Sequence, residues 1–198
     1  MSKHHRNRNW APAPQPLPED AHVIDNHTHV ASVVPFSQAM SHEAMEKGQG
    51  EVPVYSVDEL LEQAQKVGVE GVIDCGCELP NLMTAIDMAR EHPGTVHAAI
   101  AIHPNEAVLH GHRGAPGPDG LPIKYKPWHD IPFDEAMAEV HRLATTYPNQ
   151  VVAIGETGMD LFRTGESAKE LQREAFRAHV ALAKELNLPM QILSLIHI

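Results

Sequence analysis

The stretch VIDNHTHV, residues 23–30, begins with an apolar pair and then carries one aspartate and two histidines. Side chains two positions apart on a β-strand point to the same face, so Asp25, His27 and His29 are predicted to project together. Two imidazoles in this arrangement suit one divalent cation such as Zn²⁺, Mn²⁺ or Fe²⁺. Asp25 is better placed to orient one of the imidazoles than to bind the cation. Polar residues that merely end a strand would show the same spacing, so the remaining sequence has to separate the two interpretations.

The composition is that of an acidic globular protein. The chain has 198 residues and a formal net charge of -11, from 15 Lys+Arg against 26 Asp+Glu. This charge argues against a broad basic surface for nucleic acid, but it is compatible with an enzyme that meets phosphates through metal ions. Two cysteines make no disulfide framework, and the sequence has neither a secretory signal nor an apolar run that would span a bilayer. A cytoplasmic location without membrane contact is therefore predicted.

Strand-like and helix-like segments alternate after a proline-rich leader, residues 1–21, which is predicted to be disordered. The apolar runs predict strands at 22–30, 69–76, 95–102, 150–158 and 188–193. Helical spacing predicts helices at 56–68, 79–92, 132–147 and 167–187. Capping boxes are predicted to begin two of these helices, at Ser56 with Glu59 and at Ser167 with Glu170. Two long connections are expected, at 31–55 and 103–131.

This order of segments indicates an α/β fold with parallel strands and right-handed helical crossovers. A doubly wound open sheet and a TIM-type (β/α)₈ barrel both fit the pattern. Polar residues follow successive strands: His27 and His29 the first, His103 the third, and Glu156 the fourth. Barrel enzymes collect their active-site residues from such strand ends, and no glycine-rich phosphate-binding sequence follows the first strand. The barrel is the predicted architecture.

Glu156 lies in the sequence AIGETGMD, residues 153–160, directly after an apolar run. A carboxylate at this place can bridge two metal ions in a hydrolytic site. The alternative is a carboxylate that interacts with the dipole of a following helix. The histidine pair of the first strand favours the metal-binding interpretation.

Three further polar residues have less certain roles from their positions. His103, in AIAIHPNEA, is suited either to contact a substrate phosphate or to cap the following turn, and both interpretations stay open. Arg163 is suited either to pair with a phosphate oxygen or to form an exposed salt bridge. Asp160 lies near Arg163 and is predicted to support the site from behind.

Two other groups of residues receive no role from the sequence. Cys75 and Cys77 resemble small core residues more than a metal-binding pair. Glu106, Trp128 and His129 lie in the connection 103–131, which could form a lid over the site.

Four blocks of sequence resemble the TatD family of metal-dependent hydrolases in their order and spacing. They are VIDNHTHV (23–30), AIAIHPNEA (99–107), VVAIGETGMDLFR (151–163) and LQREAFRAHVALAKELNLPMQI (171–192). The resemblance implies a barrel enzyme that cleaves phosphodiester bonds in DNA, as an exonuclease, with water activated by two divalent ions (Zn, Mg or Mn). It also implies that His27 and His29 bind one ion and that Glu156 bridges both. DNA is then a substrate, not a stable partner, and a monomer is expected.

The last part of the chain departs from this family pattern. The fifth strand of the family resembles L-P-x-x-I-H, whose histidine binds the second metal, whereas LPMQIL places Leu193 there. Ligands expected after the sixth and eighth strands have no counterpart, and His197 does not match the pattern. Residues 22–193 are therefore predicted to form a partial barrel of about five strands, followed by an atypical end at 194–198.

These departures change the functional expectation for the chain itself. At most one well-ligated metal site is expected, and the 198 residues alone are expected to be inactive, although the intact protein would be a metal-dependent deoxyribonuclease. The alternatives are a related barrel hydrolase of amides, lactones or small phosphoesters, and a non-catalytic fragment.

Overall fold

A computed structural model of the protein describes residues 16–18, 20–48, 53–114 and 123–195. The strands are β1 (Val23–Thr28), β2 (Val69–Gly76), β3 (Val96–Ile100), β4 (Val151–Asp160) and β5 (Met190–Leu195). All neighbouring strands are parallel, and their order in the sheet, β1-β2-β3-β4-β5, is their order in the chain. A doubly wound sheet would reverse this order at its switch point. The sheet is therefore part of a barrel, as predicted.

The sheet curls so that its first and last strands approach each other. The side chain of Gln191 on β5 donates a hydrogen bond to the backbone carbonyl of Asn26 on β1. The same side chain accepts a hydrogen bond from the thiol of Cys75 on β2, with 3.1 Å between Sγ and Oε1. Contacts across the concave face in this way are expected of a curved half-barrel and not of a flat sheet.

Helices connect the strands on the other face. They are α1 (Val30–Glu46), α2 (Val57–Lys66), α3 (Leu79–Glu91), α4 (Pro104–Ala107), α5 (Phe133–Thr146) and α6 (Lys169–Leu186). Short 3₁₀ turns occur at His110–His112, Pro127–Asp130 and Glu166–Ala168. The capping box at the start of α2 is confirmed, because the Ser56 amide donates to Glu59 Oε2 at 2.8 Å and the Glu59 amide donates to Ser56 Oγ at 3.2 Å.

Three local predictions are wrong, and a fourth, the connection 103–131, is incomplete. The connection 31–55 contains helix α1, which the sequence obscures because Pro35 lies inside it and no side chain caps its first turn. Ser167 does not cap α6; it lies in the preceding 3₁₀ turn, and Ala168 occupies the N-cap. β1 ends at Thr28, so His29 is the N-cap of α1 and not a strand residue. The connection 103–131 contains α4 and two 3₁₀ turns.

The predicted ends of the chain fall partly outside the described residues. Residues 1–15 and 19 of the leader and residues 196–198, with His197, are not described. Ser194 and Leu195, which were assigned to the atypical end, belong to β5. Within the described residues, no helix combines the length and the apolar character that crossing a membrane requires.

The hydrophobic core lies between the sheet and its helices. Its largest fully buried apolar side chains include Ile100, Ile154, Leu82, Ile86 and Val140, from β3, β4, α3 and α5. The edges differ: Ile24 on β1 is 59% exposed and Ile192 on β5 is 62% exposed. The core therefore fixes the middle strands most firmly. The residues at the C-terminal ends of these strands are held in place by the same packing.

Candidate metal centre

Three predicted ligands converge at the C-terminal edge of the sheet. His27 comes from β1, His29 from the N-cap of α1, and Glu156 from β4. One ligand atom of each lies within 4.8 Å of the others. Glu156 Oε2 is 3.5 Å from His27 Nε2 and 4.0 Å from His29 Nε2. The two strand ends thus bring together residues that are more than a hundred positions apart in the chain.

The imidazole of His29 is oriented by a backbone carbonyl. His29 Nδ1 lies 3.2 Å from the carbonyl oxygen of Cys75. Because a carbonyl oxygen only accepts, Nδ1 carries the proton, and Nε2 presents its lone pair toward Glu156. Close by, Thr28 Oγ1 donates to the Ile73 carbonyl at 3.0 Å and ties the end of β1 to β2. This arrangement prepares His29 Nε2 to bind a cation.

Asp25 lies beside these residues but makes a different contact from the predicted one. Its Oδ1 accepts a hydrogen bond from the backbone amide of His27 at 3.1 Å, whereas the ring of His29 is oriented by Cys75. The pairing of β1 with β2 shifts register between Asp25 and Thr28, so simple alternation fails there. Asp25 therefore shapes the backbone that carries His27.

Glycines on both sides of Glu156 allow β5 to lie close against β4. Gly158 has a φ of +136°, and a Cβ there would overlap the carbonyl oxygen of Leu193. A Cβ at Gly155 would lie 2.5 Å from the Cβ of Gln191. The pattern G-E-T-G is thus a backbone requirement of this strand pair as well as a setting for the carboxylate.

Glu156 is buried, with 7% of its surface exposed. No lysine or arginine of the described residues pairs with it; its neighbours within 4.0 Å are imidazole nitrogens and the Cys77 thiol. A buried carboxylate without a permanent cation costs free energy, so this position favours binding of a positive ion.

His103 faces the same carboxylate and also caps a helix. Its Nε2 lies 3.9 Å from Glu156 Oε2, while its Nδ1 accepts a hydrogen bond from the backbone amide of Asn105 at 3.1 Å. Both roles that the sequence left open are therefore compatible with one position, since Nε2 carries the proton and points into the site. Burial lowers the pKa of His103, and the charge of Glu156 opposes this effect.

Cys77 is a neighbour of the site that the sequence analysis did not identify. Its Sγ lies 3.9 Å from Glu156 Oε2, and burial raises the pKa of the thiol. The available signal was its position just after β2, at the same edge of the sheet as the other ends. Cys75, by contrast, is buried beside Gln191, and burial raises the pKa of its thiol to about 12.

Asp160 and Arg163 lie at the rim. Asp160 accepts hydrogen bonds from the backbone amides of Phe162 and Arg163, at 2.9 and 3.3 Å, and from the side-chain amide of Asn105 at 2.6 Å. It therefore joins the end of β4 to α4 and makes no contact with the three converging ligands. Arg163 is exposed and, among the described residues, forms no salt bridge; it lines a cavity of about 320 Å³ together with Glu156.

A larger cavity of about 490 Å³ adjoins the first one and shares His29, Cys77 and Glu78 with it. Asp74 lines its buried side, and burial raises the pKa of this carboxyl. His29 therefore lines both cavities, and Glu156 lines the smaller one.

The three converging ligands fit a divalent cation. Two imidazole nitrogens and a carboxylate oxygen are a donor set that Zn²⁺, Mn²⁺ and Fe²⁺ accept. A direct N–H···O hydrogen bond would measure about 2.9 Å, shorter than the 3.5 and 4.0 Å found here. Ligands held about 2.0–2.2 Å from a shared ion lie roughly 3–3.5 Å from each other. Movements of a few tenths of an ångström would complete such a site.

Leu193 occupies the place where the resemblance implies a histidine. It lies on β5 opposite Gly158 of β4. Strand alternation puts it on the same face as Gln191, whose side chain crosses the concave side of the sheet. An aliphatic side chain there supplies no ligand atom.

The fold and the site together define a partial α/β barrel with a candidate metal centre at its C-terminal edge. Residues 24–194 match the protein family described as TatD related DNase. The chain belongs to this family, which confirms the resemblance found in the sequence.

Similar proteins and solved structures agree with this membership. The chain is 32% identical over 136 residues to the uncharacterized metal-dependent hydrolase YabD of Bacillus subtilis, covering 69% of this chain and 43% of that protein. It is 32% identical over 133 residues to the 3'-5' ssDNA/RNA exonuclease TatD of Erwinia tasmaniensis, covering 67% and 42%. The chain therefore spans less than half the length of these two relatives.

Two crystal structures share the fold. The TatD homolog YJJV from Escherichia coli K12 aligns with a TM-score of 0.54 at 23% identity, over 84% of this chain and 48% of its own. A TatD family hydrolase from Entamoeba histolytica aligns with a TM-score of 0.56 at 20% identity, over 85% and 48%. Both likenesses support the partial barrel.

Proposed function

We propose that His27, His29 and Glu156 hold one divalent cation, and that this centre belongs to a hydrolase of phosphodiester bonds in DNA that degrades strands from an end. The observation that carries the proposal is the convergence of the three ligand atoms within 4.8 Å. The relative named 3'-5' ssDNA/RNA exonuclease supports the substrate class.

A divalent cation in such a site supplies Lewis-acid chemistry, lowering the pKa of water and offsetting charge on phosphate oxygens. The protein residues have separate tasks. His29 presents its Nε2 because the Cys75 carbonyl holds Nδ1. His103 presents an N–H at Nε2, which is suited to donate to a phosphate oxygen. Arg163, exposed at the rim, is suited to pair with a neighbouring phosphate of the strand. Asp160 keeps the loop of Arg163 in place through two backbone hydrogen bonds.

The chain is proposed to bind one ion and to be inactive by itself. Two ions would be needed for the full reaction in this family, and within the described residues only one group of three such donors converges. Leu193 stands in the position where a further ligand is expected. Replacing it with histidine should supply that ligand.

Metal content tests the centre. The purified chain, dialysed against Zn²⁺ or Mn²⁺, should contain about one ion by elemental analysis, and Glu156→Gln and His27→Ala should each lose it. His141→Ala on α5 removes an imidazole far from the site and serves as the matched control. Two ions in the wild-type chain, or one ion that survives Glu156→Gln, would contradict the proposal.

Cleavage tests the reaction. Leu193→His should raise the metal content toward two ions, and any hydrolytic activity that it gains should degrade a labelled single-stranded oligonucleotide that the wild-type chain leaves intact. If the metal-loaded Leu193→His chain hydrolyses an amide or a lactone and spares the oligonucleotide, the nuclease assignment is wrong.

A further inference from the structure

Residues 123–130, with the sequence IKYKPWHD, form a basic and aromatic segment that the proposed reaction does not use. We call it the rim segment. Lys124, Tyr125 and Lys126 are exposed, and Trp128 is half-buried. Among the described residues neither lysine forms a salt bridge, in contrast to Lys47, Lys66 and Lys169. Two uncompensated lysines beside two aromatic rings are unusual in a chain with a net charge of -11.

The rim segment is attached to the candidate metal centre through Glu106. The ring of His129 is buried; its Nδ1 accepts from the Lys126 amide at 3.0 Å, so Nε2 carries the proton and donates to Glu106 Oε2 at 2.7 Å. The indole N–H of Trp128 donates to the same oxygen at 3.0 Å. Glu106 itself lines the 320 Å³ cavity that contains Glu156. These two hydrogen bonds compensate the charge of Glu106 and fix the rim segment at the mouth of this cavity.

The charge of Lys126 acts on Glu78, a second acidic residue that lines this cavity. Burial raises the pKa of Glu78, which lines both cavities; Glu106 adds to this rise, and Lys126 and His129 oppose it. Lys126 Nζ lies 5.9 Å from the centre of the Trp128 ring, within the range of a cation–π contact. Lys126 is thus close enough to act on Glu78, which lines the same cavity as Arg163.

Tyr125, between these two lysines in the sequence, has a ring that is partly exposed to solvent. Its ring lies 4.3 Å from the ring of His112, tilted by 41°, and the residue is 38% exposed. One side of the ring is therefore supported by protein. Aromatic rings held in this way, next to basic groups, are the elements with which proteins bind single strands without reading sequence.

We propose that the rim segment is the strand-binding surface of the candidate centre, where Lys124 and Lys126 contact phosphates and Tyr125 stacks with a base of single-stranded nucleic acid. This inference rests on the proposed function for the nature of the substrate. The lysines contribute positive charge for the phosphates, and the stacked base sets the distance of the strand from Glu156.

Binding of a fluorescently labelled oligothymidylate, measured by anisotropy in EDTA at several salt concentrations, tests the inference. EDTA prevents cleavage, so the result does not depend on activity. The variant Lys124→Gln/Lys126→Gln should bind more weakly and should lower the slope of log K against log salt by about 1.4, about 0.7 for each lost phosphate contact. Tyr125→Leu keeps the apolar bulk and should weaken binding at least about fivefold, the lower end of the stacking range.

The matched control is Lys66→Gln/Lys184→Gln, which removes the same charge from the C-terminal turns of α2 and α6 at the opposite edge of the sheet. Circular dichroism should show equal melting of all variants. If the rim variants bind as the control does, or if the wild-type chain binds no oligonucleotide, the inference is wrong. If the wild type binds through the rim segment but metal-loaded Leu193→His hydrolyses only an amide or a lactone, the inference holds and the proposed reaction fails.

Discussion

Strands β1 and β4 both supply ligands to the candidate centre, but β4 is mostly buried and β1 is mostly exposed. Eight of the ten residues of β4 are buried, whereas five of the six residues of β1 are exposed. β4 lies between β3 and β5 with α6 packed on it, while β1 is an edge strand that pairs with β2 alone. The carboxylate therefore sits on the rigid part of the sheet and the two imidazoles on the part with least packing.

This difference shows that the two halves of the site are positioned by different forces. Hydrophobic packing fixes Glu156, because Ile154 two residues earlier is completely buried. Hydrogen bonds position the histidines, chiefly Thr28 to the Ile73 carbonyl and His29 to the Cys75 carbonyl. The site should thus be more sensitive to hydrogen bonds on the β1 side and to side-chain volume on the β4 side.

The largest expected effect compares isoleucines on the two strands. Ile154→Ala removes a fully buried side chain and should lower the free energy of unfolding by about 4 kcal/mol. Ile24→Ala, at a residue that is 59% exposed, should change it by less than about 0.5 kcal/mol. Urea denaturation followed by circular dichroism measures both. Equal losses would mean that β1 is as tightly packed as β4.

The next largest effect is a loss of stability at acid pH, which we expect from the buried imidazole of His179. Burial lowers the pKa of His179 to about 4, and its Nε2 accepts a hydrogen bond from the Ile102 amide at 3.1 Å. Above about pH 6.5 the ring is neutral in both the folded and the unfolded chain. As the pH falls to about 4, only the unfolded chain gains the proton. The free energy of unfolding should therefore decrease by about 3 kcal/mol in that pH window.

Denaturation curves between pH 7 and pH 4 measure this loss. His179→Gln should flatten the slope. A slope that is the same in the wild type and in His179→Gln would show that His179 is not the group that titrates.

Cation affinity should respond to the hydrogen bond that holds β1. Thr28→Val keeps the side-chain shape but removes the donor to the Ile73 carbonyl, and cation affinity should fall by about tenfold, as for other groups that orient ligands. Titration calorimetry with Zn²⁺ measures the change. Thr145→Val, which removes a hydroxyl on α5, is the control. Unchanged affinity in Thr28→Val would mean that β1 holds His27 and His29 without this contact.

The sequence predicts which residues meet at the edge of the sheet better than it predicts the contacts that each of them makes. His27, His29, His103 and Glu156 were predicted together because parallel strands bring their C-terminal ends to one edge. Cys77 obeys the same rule, but C-x-C resembles a pair of small core residues and was set aside.

Other features depend on tertiary structure. The contact of Asp25 with the His27 amide was not predicted, because β1 shifts register against β2 and side-chain alternation does not report such a shift. Helix α1 was missed because Pro35 suggests a break, whereas packing that buries Ser37 and Ala44 keeps the helix intact.

The smallest expected effect is a difference in hydrogen–deuterium exchange between β1 and β4 when a cation binds. If a cation binds only the chain in which β1 is ordered, its presence at four times Kd should slow local opening about fivefold. Amides of β1 and the first turn of α1 should show this slowing with Zn²⁺, and amides of β4 should not, because packing already closes them. Glu156→Gln should abolish the difference while leaving β4 unchanged. Equal slowing of β1 and β4 would mean that the cation stabilises the sheet as one unit, and that His27 and His29 are as firmly placed as the carboxylate they face.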